Sequence, residues 1–330
     1  MDSQLYKDLK VSRGFTYRYY YSPAAEDHPT LLFIHGFPSS SFDWHRQVEH
    51  FRPQGYGLLV PDLLGAGGTS KPEDADAFRF ALLARDVVDL LDAEGLNQVI
   101  GVSHDWGSAT LSRLANLYPG RFHGFVWLGA TYYPPSPEPF DLDKVLAALK
   151  EKTGSPRYGY WKFFLKDGAY REIEQNIDSF LQLLYPSSPD LWVSMTDVGE
   201  AQKWIDEKRT PGIPQWLTQV EYDHIRAALL NGSVKSFLNY YRVTAESLNV
   251  KDNQKIPQEA WTIAKPTLCV MALQDAVVAS SIALPIIEKY IPHAKVEKLD
   301  VGHWIQLEAT EKLNNLLESW IESLGLGTTK

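Results

Sequence analysis

The chain has 330 residues, 44% of them hydrophobic and 22% charged, an ordinary globular composition long enough for a large core. Its 32 basic and 41 acidic side chains leave a formal charge of −9, which offers no basic surface to nucleic acid or to an anionic membrane. A lone cysteine, Cys269, excludes an internal disulfide, no run approaches the roughly 18 apolar residues of a membrane helix, and MDSQLYKDLK at the N-terminus has no secretory apolar core. The expected compartment is therefore the cytoplasm.

Taken in chain order, the apolar runs TLLFIHG (30–36), YGLLVPD (56–62), NQVIGVSH (97–104) and FHGFVWLGA (122–130) are too continuous for a half-exposed sheet. They predict parallel strands covered on both faces. FALLARDVVDLLDAEG (80–95) and GSATLSRLANLYPGR (107–121) have helical spacing and close on glycine. From YYPPSPEP (132–139) to Gln254 no buried-strand run occurs; aromatic-rich helical segments replace it, among them RYGYWKFFLK, DSFLQLLY, PDLWVSM and VKSFLNYYRVTAESL. The strand–helix pattern resumes with KPTLCVMALQD (265–275), SIALPIIEKY, KVEKLD and a closing helix near 308–324, and Cys269 falls inside the first of these as a buried strand residue. The expected fold class is α/β, a mostly parallel sheet flanked by helices, built from 1–135 and 253–330 and interrupted by a helical cap over 136–252. The cap aromatics serve either to pack its helices or to line a pocket between the two parts.

GVSHDWGS (101–108) stands where a strand turns into a helix, and two side chains compete as its nucleophile. A nucleophile elbow needs small residues two before and two after the reactive one, because the backbone crosses itself closely there. Around Asp105 those neighbours are Ser103 and Gly107, both small; around Ser103 they are Gly101 and Asp105, and Asp105 fits the tight position poorly. Asp105 is therefore the expected nucleophile. A carboxylate can attack an sp³ carbon that bears a leaving group, and water must then hydrolyse the resulting ester. His303 in DVGHWIQLE is the candidate base and Asp275, at the end of VMALQD, its orienter; Asp105–Asp275–His303 follows the nucleophile–acid–histidine order of α/β-hydrolases. Asp300 and Glu138 are rival orienters. The oxyanion of the second step needs backbone N–H donors, expected from Trp106 and from Phe37 in HGFPSS. His35 is read as an internal hydrogen-bonding residue and Asp62 as the anchor of its own Gly-rich turn. That turn has no GK[ST], no cluster has metal-ligand spacing, and neither metal nor cofactor is expected.

Together HGFPSSSFDW, DLLGAGGTSKP, SHDWG, ALQDAVV and GHWIQLE resemble the epoxide hydrolase branch of the α/β-hydrolase superfamily across nearly the whole chain. The resemblance implies a small-molecule epoxide and water as the reaction partners, no cofactor, and a monomer or homodimer. It also implies two cap tyrosines that bind and protonate the epoxide oxygen: Tyr160 in RYGYWKFFLKDG and Tyr241 in FLNYYRV, with Tyr158 and Tyr240 as the neighbours that would displace them. The departures are Ser103 where Gly is commoner, and Ala66 where tyrosine is common. The alternatives are a haloacid or haloalkane dehalogenase using the same aspartate, a serine esterase using Ser103, and a hydrolase-shaped binder with a broken triad. Fluoroacetate dehalogenases typically carry arginine directly after the nucleophile and His-Trp before the FFL of the cap, where this chain has Trp106 and Trp161-Lys162. Haloalkane dehalogenases usually carry Asn or Gln at the position of Phe37.

Overall fold

A computed structural model describes residues 1–25 and 27–326. Eight strands form one sheet in the order β1-β2-β4-β3-β5-β6-β7-β8. The apolar runs become β3 (Thr30–Ile34), β4 (Gly57–Pro61), β5 (Val99–His104), β6 (Phe122–Leu128) and β7 (Thr267–Ala272), all parallel and almost wholly buried. β8 (Lys295–Leu299) adds a half-exposed parallel edge. The sequence reading did not name β1 (Tyr6–Lys10) or β2 (Thr16–Ser22), which pair antiparallel at the other edge. β1 is polar at Lys7, Asp8 and Lys10, and β2 mixes its tyrosines with Thr16 and Arg18, so neither has the continuous aliphatic signature of the covered strands.

Helices cover both faces. α1 (His45–Phe51) and the C-terminal helix Thr310–Ser323 pack on one side, where Leu313, Leu317 and Ile321 join a cluster with Phe33, Leu58 and Val102 of the sheet. α2 (Phe80–Ala93) and α3 (Gly107–Leu117) pack on the other, where Leu83, Val87 and Leu111 meet Leu32, Leu59 and Phe125. Between β6 and β7 every regular element is helical, from α4 (Leu142–Thr153) to the turn Val250–Asn253. This cap-like region lies over the C-terminal ends of the central strands, where parallel sheets place their ligands. Cys269 is buried in β7. Among the described residues no helix is long and apolar enough to cross a membrane.

Candidate active site

Asp105 occupies the turn between β5 and α3 with φ of +50°, a left-handed conformation that a non-glycine residue adopts only where its surroundings impose it. The crossing is as tight as the elbow argument requires. A Cβ on Gly107 would stand 2.4 Å from the Ile34 carbonyl oxygen, and one on Gly36 would stand 2.3 Å from Asp105 Oδ1. The Ser103 hydroxyl is fully buried and its partners are Ser108 Oγ at 3.0 Å and the Val126 carbonyl at 3.4 Å. Nothing in that setting would activate it.

Two loops converge on the aspartate. The Phe37 N–H, from the loop after β3, donates to Asp105 Oδ1 at 2.8 Å. His303, from the loop after β8, sets Nε2 3.6 Å from Asp105 Oδ2 and donates from Nδ1 to Asp275 Oδ2 at 2.8 Å. Asp275 is held in turn by the N–H groups of Val277 and Val278, which donate to its Oδ1 at 2.7 and 3.0 Å. The rival Asp300 is exposed and accepts from Gln274, and Glu138 is exposed in the Pro-rich connection. Trp106, the second expected donor residue, opens α3 and puts its indole against Phe80, Trp161 and Tyr241.

Charge organises this triad. Burial works against the His303 imidazolium, but the charge of Asp275, then Asp105, overrides it and raises its pKa to about 10. Burial alone would push Asp105 up; the hydrogen bond and charge of His303, with the Phe37 N–H, bring it below the usual carboxylate range. The resting pair is thus imidazolium and carboxylate. His104 lies behind them, its ring 4.6 Å from that of His303, and burial followed by the His303 charge lowers its pKa to about 4. It is neutral, and its Nε2–H donates to the His303 carbonyl at 2.8 Å, holding the loop that carries His303.

The cap supplies the roof. Tyr160, Tyr241, Asp105 and His303 line one narrow hollow, and the two phenol rings meet edge to face at 5.9 Å. Burial, with the Asp105 charge adding to it, holds both phenols well above their ordinary pKa and therefore protonated. Tyr240 turns away into the core against Phe78 and Phe237. Tyr158 stacks on Trp161 in the wall of a larger cavity of about 460 Å³ that also reaches Asp105 and Tyr160. As expected, His35 is internal: its Nε2 accepts from the Leu63 N–H at 2.9 Å and its Nδ1–H donates to the Gly36 carbonyl. Asp62 accepts from Gly68 N–H and ties its turn to Ser41.

Two contributors escaped the sequence reading. Tyr133, in the connection after β6, lines the cavity and stacks near Trp106. Arg157 donates from Nη1 to the carbonyls of Asp275 and Ala276 at 3.2 and 2.8 Å, tying the cap segment that carries Tyr160 to the loop of Asp275. The only sequence signal for either was proximity to motif residues.

Residues 29–310 match the family model described as alpha/beta hydrolase fold. The chain is 26% identical over 300 residues to a pig protein named "Bifunctional epoxide hydrolase 2", covering 89% of this chain but 52% of that one, so it spans about half the length of such relatives. It is 27% identical over 345 residues to "Epoxide hydrolase B" of Mycobacterium tuberculosis, covering 92% and 94% of the two chains. The crystal structure of Epoxide Hydrolase A from Mycobacterium thermoresistibile superposes with a TM-score of 0.80 at 25% identity, covering 96% of this chain and 98% of that one. An epoxide hydrolase from an endophytic Streptomyces has the same fold, with a TM-score of 0.82 at 23% identity over 98% and 96% of the chains. With its eight-stranded sheet, its elbow between β5 and α3 and a family match over most of its length, the chain belongs to the alpha/beta hydrolase fold family.

Proposed function

We propose that this protein is an epoxide hydrolase, adding water to an epoxide through an ester on Asp105 to give a vicinal diol. The observation that carries the reading is the common hollow of Asp105, His303, Tyr160 and Tyr241: a carboxylate nucleophile and its base facing two protonated phenols. Relatives named as epoxide hydrolases support it. Residues 136–252 act as the cap and the remainder as the catalytic core.

Asp105 attacks one epoxide carbon, the carbon–oxygen bond of the ring breaks, and Tyr160 or Tyr241 gives its proton to the leaving oxygen. Esterification removes the Asp105 charge, one of the two that hold the His303 proton, so the pKa of His303 falls. The proton it sheds restores the tyrosine, and the neutral imidazole then takes a proton from water attacking the ester carbonyl. Asp275 keeps Nδ1 protonated and Nε2 turned toward that water. The N–H groups of Phe37 and Trp106 hold the oxyanion. The tetrahedral intermediate collapses, the proton left on its hydroxyl passes to the departing alkoxide, and the diol leaves with Asp105 again a carboxylate and His303 again an imidazolium.

A single turnover of excess enzyme on styrene oxide in oxygen-18 water tests this. Heavy oxygen in the peptide containing Asp105, together with diol, is the expected result. Diol with an unlabelled peptide would exclude the ester. Halide release from a haloacid with no diol from any epoxide would transfer the same aspartate to dehalogenation.

A further inference from the structure

The loop that carries His303 is held by an acid that takes no part in bond making. Glu308 ends the motif GHWIQLE and lies outside the triad, half-buried on the helical turn Ile305–Glu308. Its own N–H donates to the Trp304 carbonyl at 2.8 Å, and a helical side chain leans toward the N-terminal end of its helix. The carboxylate therefore folds back against the loop before it. Oε2 accepts from the Gly302 N–H at 2.8 Å and Oε1 from the Trp304 N–H at 2.9 Å, so one side chain grips the main chain on both sides of the histidine. The fit is close: a Cβ on Gly302 would stand 2.8 Å from Oε1.

The carbonyls of the same stretch are held as well. That of His303 accepts from His104 Nε2–H at 2.8 Å and from the Ile305 N–H at 3.1 Å. That of Val301 accepts from the N–H of Gln274, the neighbour of Asp275, at 3.0 Å. With Asp275 fixing Nδ1, the place of Nε2 depends on where this short stretch of backbone sits. Burial pushes the Glu308 carboxyl up, and the Gly302 and Trp304 N–H groups, followed by the His303 charge, oppose it. Nε2 lies 3.6 Å from Asp105 Oδ2, and at such range a misplacement of about 1 Å can cost about a hundredfold in rate.

Building on the epoxide reading, we propose that Glu308 is a positioning residue for His303: its grip on the Gly302 and Trp304 N–H groups aims Nε2 at the water that hydrolyses the ester. It then governs the second step and not ring opening, which needs Asp105 and the tyrosines, because His303 acts as a base only afterwards. Rapid-quench mass spectrometry of the intact protein over one turnover of styrene oxide reads both steps, as the appearance and decay of enzyme carrying the substrate's mass. In Glu308→Gln an NH2 group must face one of the two N–H donors. Ester decay in that variant slows about tenfold while ester formation stays within about threefold. Gly302→Ala keeps the charge but sets a Cβ against Oε1, and it shows the same one-sided defect. A merely structural role would lower Tm and the active fraction and leave both rate constants of the folded enzyme unchanged. Equal slowing of the two steps, or decay slowed in neither variant, overturns the proposal.

Low-field proton NMR separates this inference from the reaction itself. If the wild type turns over no epoxide, the epoxide reading fails. Exchange with water of the His303 Nδ1 proton, which bonds Asp275, would then report the grip by itself. Exchange about fivefold faster in Glu308→Gln and Gly302→Ala than in the wild type would support it, as local opening of a loosened loop. Exchange unchanged in both variants would overturn it.

Discussion

Replacing Asp105 by asparagine imitates the ester electrostatically, because it removes the carboxylate charge facing His303 while keeping the side chain's size. Asp105→Asn is therefore expected to abolish turnover and to lower the His303 pKa from about 10, leaving the Asp275 bond as its main support. A pH titration of the ring nitrogens by NMR reads this directly; an unshifted His303 would mean that Asp275 alone sets its charge. Ser103→Ala is the complementary test. Its hydroxyl bridges Ser108 and the Val126 carbonyl, so the loss costs about 1 kcal/mol of stability and leaves turnover within about threefold, since a hydroxyl outside the reacting path makes no bond that strengthens in the transition state. Steady-state kinetics beside a urea titration would check it, and loss of activity in a stably folded variant would return the serine to contention.

Between elements, one joint of cap and core centres on Arg46. Arg46 on α1 donates from Nε and Nη2 to both oxygens of Glu221, at 2.9 Å each, from Nη2 to the Trp216 carbonyl and from Nη1 to the Leu307 carbonyl. Glu221 is the N3 residue of the capping box that starts the helix Gln219–Asn231. Burial pushes its pKa up, but Thr218 and Arg46 hold it down at about 2. Arg46→Met leaves Glu221 to Thr218 and to His45, whose Nε2 lies 2.7 Å from its Oε1, so a destabilisation of about 2 kcal/mol is expected, read as a lower urea midpoint. Arg46→Lys cannot form the two-pronged pair and should recover less than half of the loss. A midpoint unchanged in Arg46→Met would show that Thr218 and His45 suffice.

For the molecule as a whole, the resting ion pair makes stability depend on pH. The folded pKa of His303 is raised from 6.5 to about 10, so its contribution is complete below 6.5 and is lost as pH climbs through about 10. Asp105 works in the opposite direction: its lowered pKa contributes above 3.8 and is lost on acidification. A net charge of −9 adds self-repulsion as pH rises. The wild type should therefore lose more of its Tm between pH 7 and 10 than His303→Gln, which keeps the repulsion and lacks the titrating group. Parallel slopes in the two proteins would refute the imidazolium assignment.

Pattern along the chain was sufficient for the parallel strands, because a strand covered on both faces is mostly apolar, and β3, β4, β5 and β7 are buried at every position. It was sufficient for the elbow too, since Ser103 and Gly107 flank Asp105 at spacings that only a tight crossing requires. It missed β1 and β2, whose Lys7, Asp8, Lys10, Thr16 and Arg18 break any apolar run, and it could only rank Asp275 above Asp300, which lie at the ends of adjacent strands. Which of them meets His303 depends on where two loops close in space, and the structure puts Asp275 Oδ2 at 2.8 Å from the ring and Asp300 in solvent. The cap tyrosines belong to the same class. Tyr240 and Tyr241 are adjacent in sequence, yet one points into the core and the other over Asp105, because a helix turns successive side chains by about 100° and only the packing of cap on core decides which direction is the cavity.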